Sequence, residues 1–229
     1  ENLYEGLCGQ SENGSPKLAA AGSCTTSADG LVYTFLLKND RYWFYDANQD
    51  DVVDDDETWK VTASDYAYAF QRIFDPQTQS PYTTMFSCLQ KADAGHSGQL
   101  DPSEIGVRAV SDTELQFTLS RPDAEFLSNL ASTAAMPCNE NFFQQTKGRY
   151  GLDKESVASC GAFYLRLWFY DQYGNQNQIF MRRNATNAKA RSVYPTNLTF
   201  QIRKSSDEAA ADFTDGTSDL MTSSVYQPQ

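Results

Sequence analysis

The 229-residue sequence predicts a mixed α/β (α+β) fold, and three observations carry that expectation. Several short stretches alternate apolar with polar residues at the two-residue period of a half-buried strand. Others repeat at the helical period. The two kinds of segment mix without strict strand–helix–strand succession, which favours mixed sheets with helices packed on them over an all-β sandwich.

Taken in order, residues 31–37 are apolar or aromatic nearly throughout, as expected of a central strand covered on both faces. Thr62-Ala63-Ser64-Asp65 has capping-box spacing, and Tyr66, Phe70, Ile73 and Phe74 then fall on one helical face. Asp75-Pro76 ends that helix, because a residue before proline is pushed out of the helical region. A second helix is expected over residues 82–91. Leu115, Phe117 and Leu119 alternate with Gln116, Thr118 and Ser120 as a strand, and a third helix starts beside Pro122 and buries Phe126, Leu127 and Leu130. A fourth helix is expected around residues 140–146. Residues 162–170 read as another central strand, and Leu198, Phe200 and Ile202 as a half-buried one. A last helix over 206–213 ends near Gly216.

Composition narrows the function. Lys and Arg number 18 against 30 Asp and Glu, a net charge of −12, and no basic stripe interrupts the acidity. Phosphate backbones and anionic lipid surfaces are repelled by such a chain, so nucleic acid is excluded as a partner. Hydrophobic residues at 40% supply a real core, yet no apolar run approaches the ~18–20 residues of a membrane helix. The first residues show neither the basic nor the apolar region of a secretory leader. Five cysteines without CxxC spacing argue against zinc or thioredoxin-type chemistry, and their odd number leaves one thiol unpaired in a monomer. Cys8 and Cys24 flank a turn-rich stretch and are candidates for a bridge.

The sharpest local pattern is acidic. Asp46, Asn48, Asp50, Val52, Asp54 and Glu57 occupy positions 1, 3, 5, 7, 9 and 12 of a calcium loop, with Val53 at the apolar position 8. Position 6 should be glycine to allow the sharp turn but is Asp51, and the flanks read as strands rather than paired helices. The segment is therefore either a weak calcium site or a solvated acidic loop. The single histidine, His96, lies in a turn-like Gly95-His96-Ser97-Gly98, and no serine or cysteine stands in a nucleophile-elbow setting. Aromatic clusters at residues 42–45 and 164–170 fit core strands, with a ligand groove as the alternative reading.

The order of the segments is informative in itself. Asn2-Leu3-Tyr4-Glu5-Gly6-Leu7, Ser27-Ala28-Asp29-Gly30-Leu31-Val32-Tyr33-Thr34-Phe35 and Val61-Thr62-Ala63-Ser64-Asp65-Tyr66 come first. Asp75-Pro76 with Ser80-Pro81-Tyr82, Gly106-Val107-Arg108-Ala109-Val110, Leu115 to Arg121-Pro122 and Asn197-Leu198-Thr199-Phe200 follow. This succession, spread over nearly the whole chain, resembles extracellular solute-binding proteins of family 5, the oligopeptide- and dipeptide-binding proteins of ATP-driven (ABC) importers.

The resemblance implies a periplasmic-binding-protein-like type II lobe, built from residues 1–18 and 159–229, with residues 19–158 as an inserted smaller α+β domain. The second lobe is missing, so the chain reads as an N-terminal fragment. The implied function is non-catalytic capture of extracellular oligopeptides by a bacterial cell-surface lipoprotein or periplasmic protein, with a peptide ligand and a membrane permease as partners. It implies a monomer that requires no cofactor, calcium being the one candidate. By the same resemblance Glu5 supplies charge or hydrogen bonding to the ligand, Gly6 close backbone approach and Leu7 main-chain pairing. Tyr82 adds an aromatic contact, and Cys160 and Gly161 stand at a hinge-side motif near the cleft. Two departures accompany it: a long acidic insert after Trp43, and Cys160-Gly161-Ala162 where the family usually has Asn-Gly-Pro. The net charge adds an expected preference for cationic peptides. The runner-up readings are a calcium-stabilised surface interaction module and, behind it, a hydrolase.

Overall fold

The computed structural model describes residues 2–173 and 177–222. The chain opens with a hairpin of β1 (Cys8–Gln10) and β2 (Pro16–Leu18), whose turn is closed by bonds from Ser11 N to Ser15 O and from Gly14 N to Ser11 O, both 2.9 Å. Next come β3 (Ala21–Thr26), β4 (Val32–Leu37), β5 (Tyr42–Phe44), β6 (Thr58–Lys60) and α1 (Ala63–Phe74). The middle of the chain holds α2 (Ala92–His96), β7 (Val107–Ala109), β8 (Glu114–Thr118), α3 (Phe126–Leu130) and α4 (Glu140–Gln145). Last are β9 (Phe163–Phe169), β10 (Asn177–Arg183), β11 (Asn197–Ile202) and α5 (Ser206–Thr214).

Two larger sheets organise these elements. One has the antiparallel order β3-β4-β8-β7, with Phe35 opposite Leu115 and Phe117 opposite both Tyr33 and Val107. Those pairs turn one aromatic face toward α1. The capping box of α1 forms as its spacing predicts, and the helix buries Tyr66, Phe70, Ile73 and Phe74. Phe70 meets Phe117 and Phe86 edge-on, with centroids 5.1 and 4.9 Å apart. Each such side chain contributes about 1.5–3 kcal/mol through burial. The second sheet, β11-β10-β9, is also antiparallel. The small β5–β6 ladder joins the two regions: Trp43 faces Trp59, and Phe44 bridges to Ser159.

Asp65 anchors the junction from inside. Its buried carboxylate accepts from Trp43 Nε1 at 3.0 Å, Thr62 N at 2.8 Å and Asn139 Nδ2 at 2.8 Å. Burial still raises its pKa above the ordinary carboxylate value, with these donors pulling the other way.

Five sequence expectations are corrected. The helix expected over 82–91 is a short 3-10 turn at Thr84–Phe86, and helix begins only at Ala92. The backbone between is taken by pairing across the sheet edge: Gln90 N donates to Thr118 O at 2.9 Å, and Ser120 N to Cys88 O at 2.8 Å. The strand at 31–37 is central in its sheet, but only Phe35 is fully buried, since helices cover one face alone. The strand at 162–170 is an edge of its sheet: Phe163, Tyr164 and Leu165 are buried, with Tyr164 meeting Phe44 edge-on, whereas Leu167 and Phe169 are about half exposed. The apolar positions of β11 are likewise more open than half-buried, with Phe200 and Ile202 exposed. All five cysteines are free thiols, so Cys8 and Cys24 form no bridge.

The leading segment touches both regions. Leu3 O accepts from Cys160 N and Gly161 N at 2.9 and 2.8 Å, and Asn2 O from Phe163 N at 3.1 Å. Leu7 and Cys8 then enter the same core as Phe35, Tyr66 and Leu130. One hydrophobic core therefore runs across both expected boundaries, at 18/19 and 158/159.

Candidate ligand-binding cleft

A cavity of about 490 Å³ opens between the leading segment, the β1–β2 hairpin and the 3-10 turn at Ala188–Ser192. Tyr4, Glu5 and Gly6 form one wall and Ala188, Lys189 and Ser192 another, with Lys17, Lys38 and Arg41 completing a charged rim. Sheet and turn chemistry fix each wall. Gly6 O accepts from Ala20 N at 3.1 Å, and Tyr66 Oη donates to Glu5 O at 2.9 Å, which pins the Glu5–Gly6 backbone from behind.

The Glu5 carboxylate is buried and held by cations. Arg41 Nε pairs with its Oε2, Arg41 Nη2 stands 3.5 Å from Oε1, and Lys189 Nζ lies 3.4 Å from Oε1. Arg41 also donates to Asp40 Oδ1 at 2.5 Å. Lys189 is set in place by Asn187, a fully buried residue that accepts from Lys189 N at 2.9 Å and donates to Cys160 O. Four cationic side chains thus face one lining carboxylate. The wall is locally positive although the whole chain, from whose net charge a preference for cationic peptides is expected, is strongly acidic.

The residues that the resemblance singles out separate into two groups. Glu5 and Gly6 line the cleft. Leu7 does not: its side chain is core, and its carbonyl already accepts from Ala19 N and Ala21 N at 2.9 and 3.3 Å. Tyr82 is 42% exposed beside the 3-10 turn and is absent from the cleft wall. Cys160 and Gly161 are buried beneath the leading segment rather than in the cleft, where a Cβ on Gly161 would stand 2.5 Å from Asn2 O. Their role in this fold is close packing. Arg41, Lys189, Lys17, Lys38 and Asn187 were not legible as site residues, because pairing of Glu5 with Lys189 joins the two ends of the chain and has no local signature.

Other candidates stand apart from the cleft. Asp46, Asn48, Asp50, Val52, Asp54 and Glu57 form the loop between β5 and β6, and none of them lines it. His96 is exposed at the end of α2.

A mixed-sheet scaffold presenting a preformed, polar-rimmed cleft has the form of a ligand-binding site. The family model for bacterial extracellular solute-binding proteins, family 5 Middle, matches residues 15–229, and the chain belongs to this family. It is 30% identical to a dipeptide-binding protein of Lactococcus lactis over 165 residues, which are 72% of this chain and 28% of that one. The substrate-binding domain of an oligopeptide ABC transporter from Bacillus anthracis superposes with a TM-score of 0.81 at 29% identity, covering 94% of this chain and 38% of that structure. Peptide-bound OppA of Listeria monocytogenes gives 0.80 at 27% identity, covering 94% and 40%. The chain spans well under half the length of each of these proteins.

Proposed function

We propose that this chain forms one wall of the peptide-binding cleft of an importer's solute-binding component, acting outside the cytoplasmic membrane and delivering its ligand to a permease. The observation that carries the reading is the cleft itself, with Glu5 held between Arg41 and Lys189 on a wall of family-5 fold. Its work is recognition, with no bond made or broken. Lys17, Lys38 and Lys189 attract a carboxylate, either a peptide C-terminus or an acidic side chain, while Glu5 keeps the Arg41 guanidinium from competing for it. Open walls of this kind leave room for water to bridge varied side chains, so sequence tolerance is the natural consequence. The protein works as a monomer, and cell-surface anchoring as a lipoprotein fits the same role.

Calorimetric titration of the chain with a defined peptide and its C-terminally amidated form tests the reading. A single wall exposes its contacts to competition from water, so affinity is expected near the millimolar range. Amidation or Lys189→Ala should weaken it at least about fivefold. Binding that ignores both changes, or none at about 10 mM peptide, would count against it.

A further inference from the structure

We infer that the β5–β6 loop is a calcium site, independent of the peptide cleft. Sequence spacing provides oxygen ligands at positions 1, 3, 5, 7, 9 and 12 of a twelve-residue loop, from Asp46 to Glu57. Glycine is normally needed at position 6 for a left-handed backbone. Asp51 adopts that conformation at φ 62°, so the turn forms without it.

The independent observation is what lies buried without a hydrogen bond in the loop. Glu57, at position 12, is 6% exposed, and its Oε1 accepts from Ala47 N and Asn48 N at 2.7 and 3.1 Å. Those two bonds place the carboxylate across the start of the loop. Its other oxygen, Oε2, is buried there without a hydrogen bond. Asp46, at position 1, is equally buried, and neither of its oxygens has a hydrogen bond; Lys154 Nζ, 3.5 Å from Oδ2, offers only ion pairing. A buried carboxylate oxygen without a donor costs free energy that a coordinated cation removes.

Charge points the same way. Seven carboxylates lie from Asp46 to Glu57, and among the described residues two cations reach them: Lys154, and Arg166, whose Nε is 2.6 Å from Asp51 Oδ2. Asn48 Oδ1 and Asp50 Oδ1 accept from Asp50 N and Val52 N, which leaves the second Asp50 oxygen open. Among the described residues no three acidic, histidine or cysteine side chains already converge on one point. Binding therefore requires Asp50 and Asp54 to swing toward Asp46 and Glu57, with the Val52 carbonyl completing the shell. Hard oxygen ligands, a flexible loop and a position-12 glutamate select calcium over magnesium.

Thermal unfolding of the whole chain in calcium chloride tests this. A site with a dissociation constant of about 1 mM, typical of extracellular calcium modules, gains elevenfold at 10 mM calcium, which raises Tm by about 3–6 °C in a chain of this size. Magnesium at equal ionic strength should give less than half that shift. Asp50→Asn, exposed and safe for folding, and Glu57→Gln should each reduce calcium affinity at least tenfold, read by terbium luminescence sensitised by the nearby tryptophans. No shift at 10 mM calcium, equal shifts with magnesium, or an undiminished response in Asp50→Asn would overturn the assignment.

Discussion

Removing the Glu5 carboxylate tests whether the cleft wall is held by its buried ion pair. Both partners are largely withdrawn from water, with side-chain exposures of 5% for Glu5 and 9% for Arg41. Glu5→Ala leaves Arg41 with only the half-exposed Asp40 as a charged partner and removes the anchor of Lys189. Breaking a buried pair by deleting one member costs about 3–5 kcal/mol. Because the cleft admits solvent along one side, the lower end applies, about 3 kcal/mol, a large share of the ~5–15 kcal/mol that holds a typical domain together. Glu5→Gln keeps an acceptor for the guanidinium and should cost about half as much. The double variant Glu5→Leu with Arg41→Met removes both charges, and should recover most of the loss, since apolar replacement of a buried pair is often close to neutral. Urea unfolding followed by tryptophan fluorescence gives these differences as midpoint changes at unchanged m. A cost below about 1 kcal/mol for Glu5→Ala, or a double variant as unstable as the two single losses summed, would show that the ion pair does not hold the wall.

Gly161→Ala forces a methyl group against the backbone of Asn2, Leu3 and Tyr4, with contacts of 2.5–2.7 Å, and should cost about 1–3 kcal/mol with faster hydrogen exchange at the amides of Cys160, Gly161 and Phe163. Burial pushes the Cys8 thiol up to about 11 and Cys88 up to about 12, so both should resist alkylation at pH 8 in the native chain and react once it is unfolded; rapid native labelling of either would contradict their placement. Burial holds the Asp65 pKa above its ordinary value, so the folded state binds that proton more tightly than the unfolded one. The stability contribution of Asp65 is present below the unfolded value of about 4 and is lost as pH rises through the folded value. Asp65→Asn should remove that fall from the pH–stability curve, and an unchanged curve would count against the assignment.

Local chemistry was largely readable from the sequence. The capping box at Thr62 and Asp65, the apolar face of α1, the β8 alternation and α5 depend on neighbours in the chain, and all four form as their patterns predict. Failures occur where distant partners decide. Residues 88–90 have helix-compatible composition but are drawn into pairing with 118–120. The apolar run at 162–170 gives no sign that burial ends at Leu165, because the groups that meet its first residues, Phe44 at Tyr164 and Asn2 at Phe163, are distant in the chain. In the cleft, Glu5 and Gly6 were accessible through the ordered motifs of the leading segment. Their cationic partners were not, since Arg41 and Lys189 approach Glu5 only after the chain closes on itself. Net charge gives no sign of this locally positive wall, because it averages over a surface whose acidic loop and basic cleft are separate.

Whether the wall around Glu5 holds peptide is read from amide hydrogen exchange across the chain with and without millimolar peptide. Protection is expected at residues 4–10, 17–19 and 188–192 alone, and is lost in Lys189→Ala while its unfolding midpoint stays close to the parent's. Protection elsewhere with these segments unchanged, or none in any segment at millimolar peptide, would contradict binding at this wall.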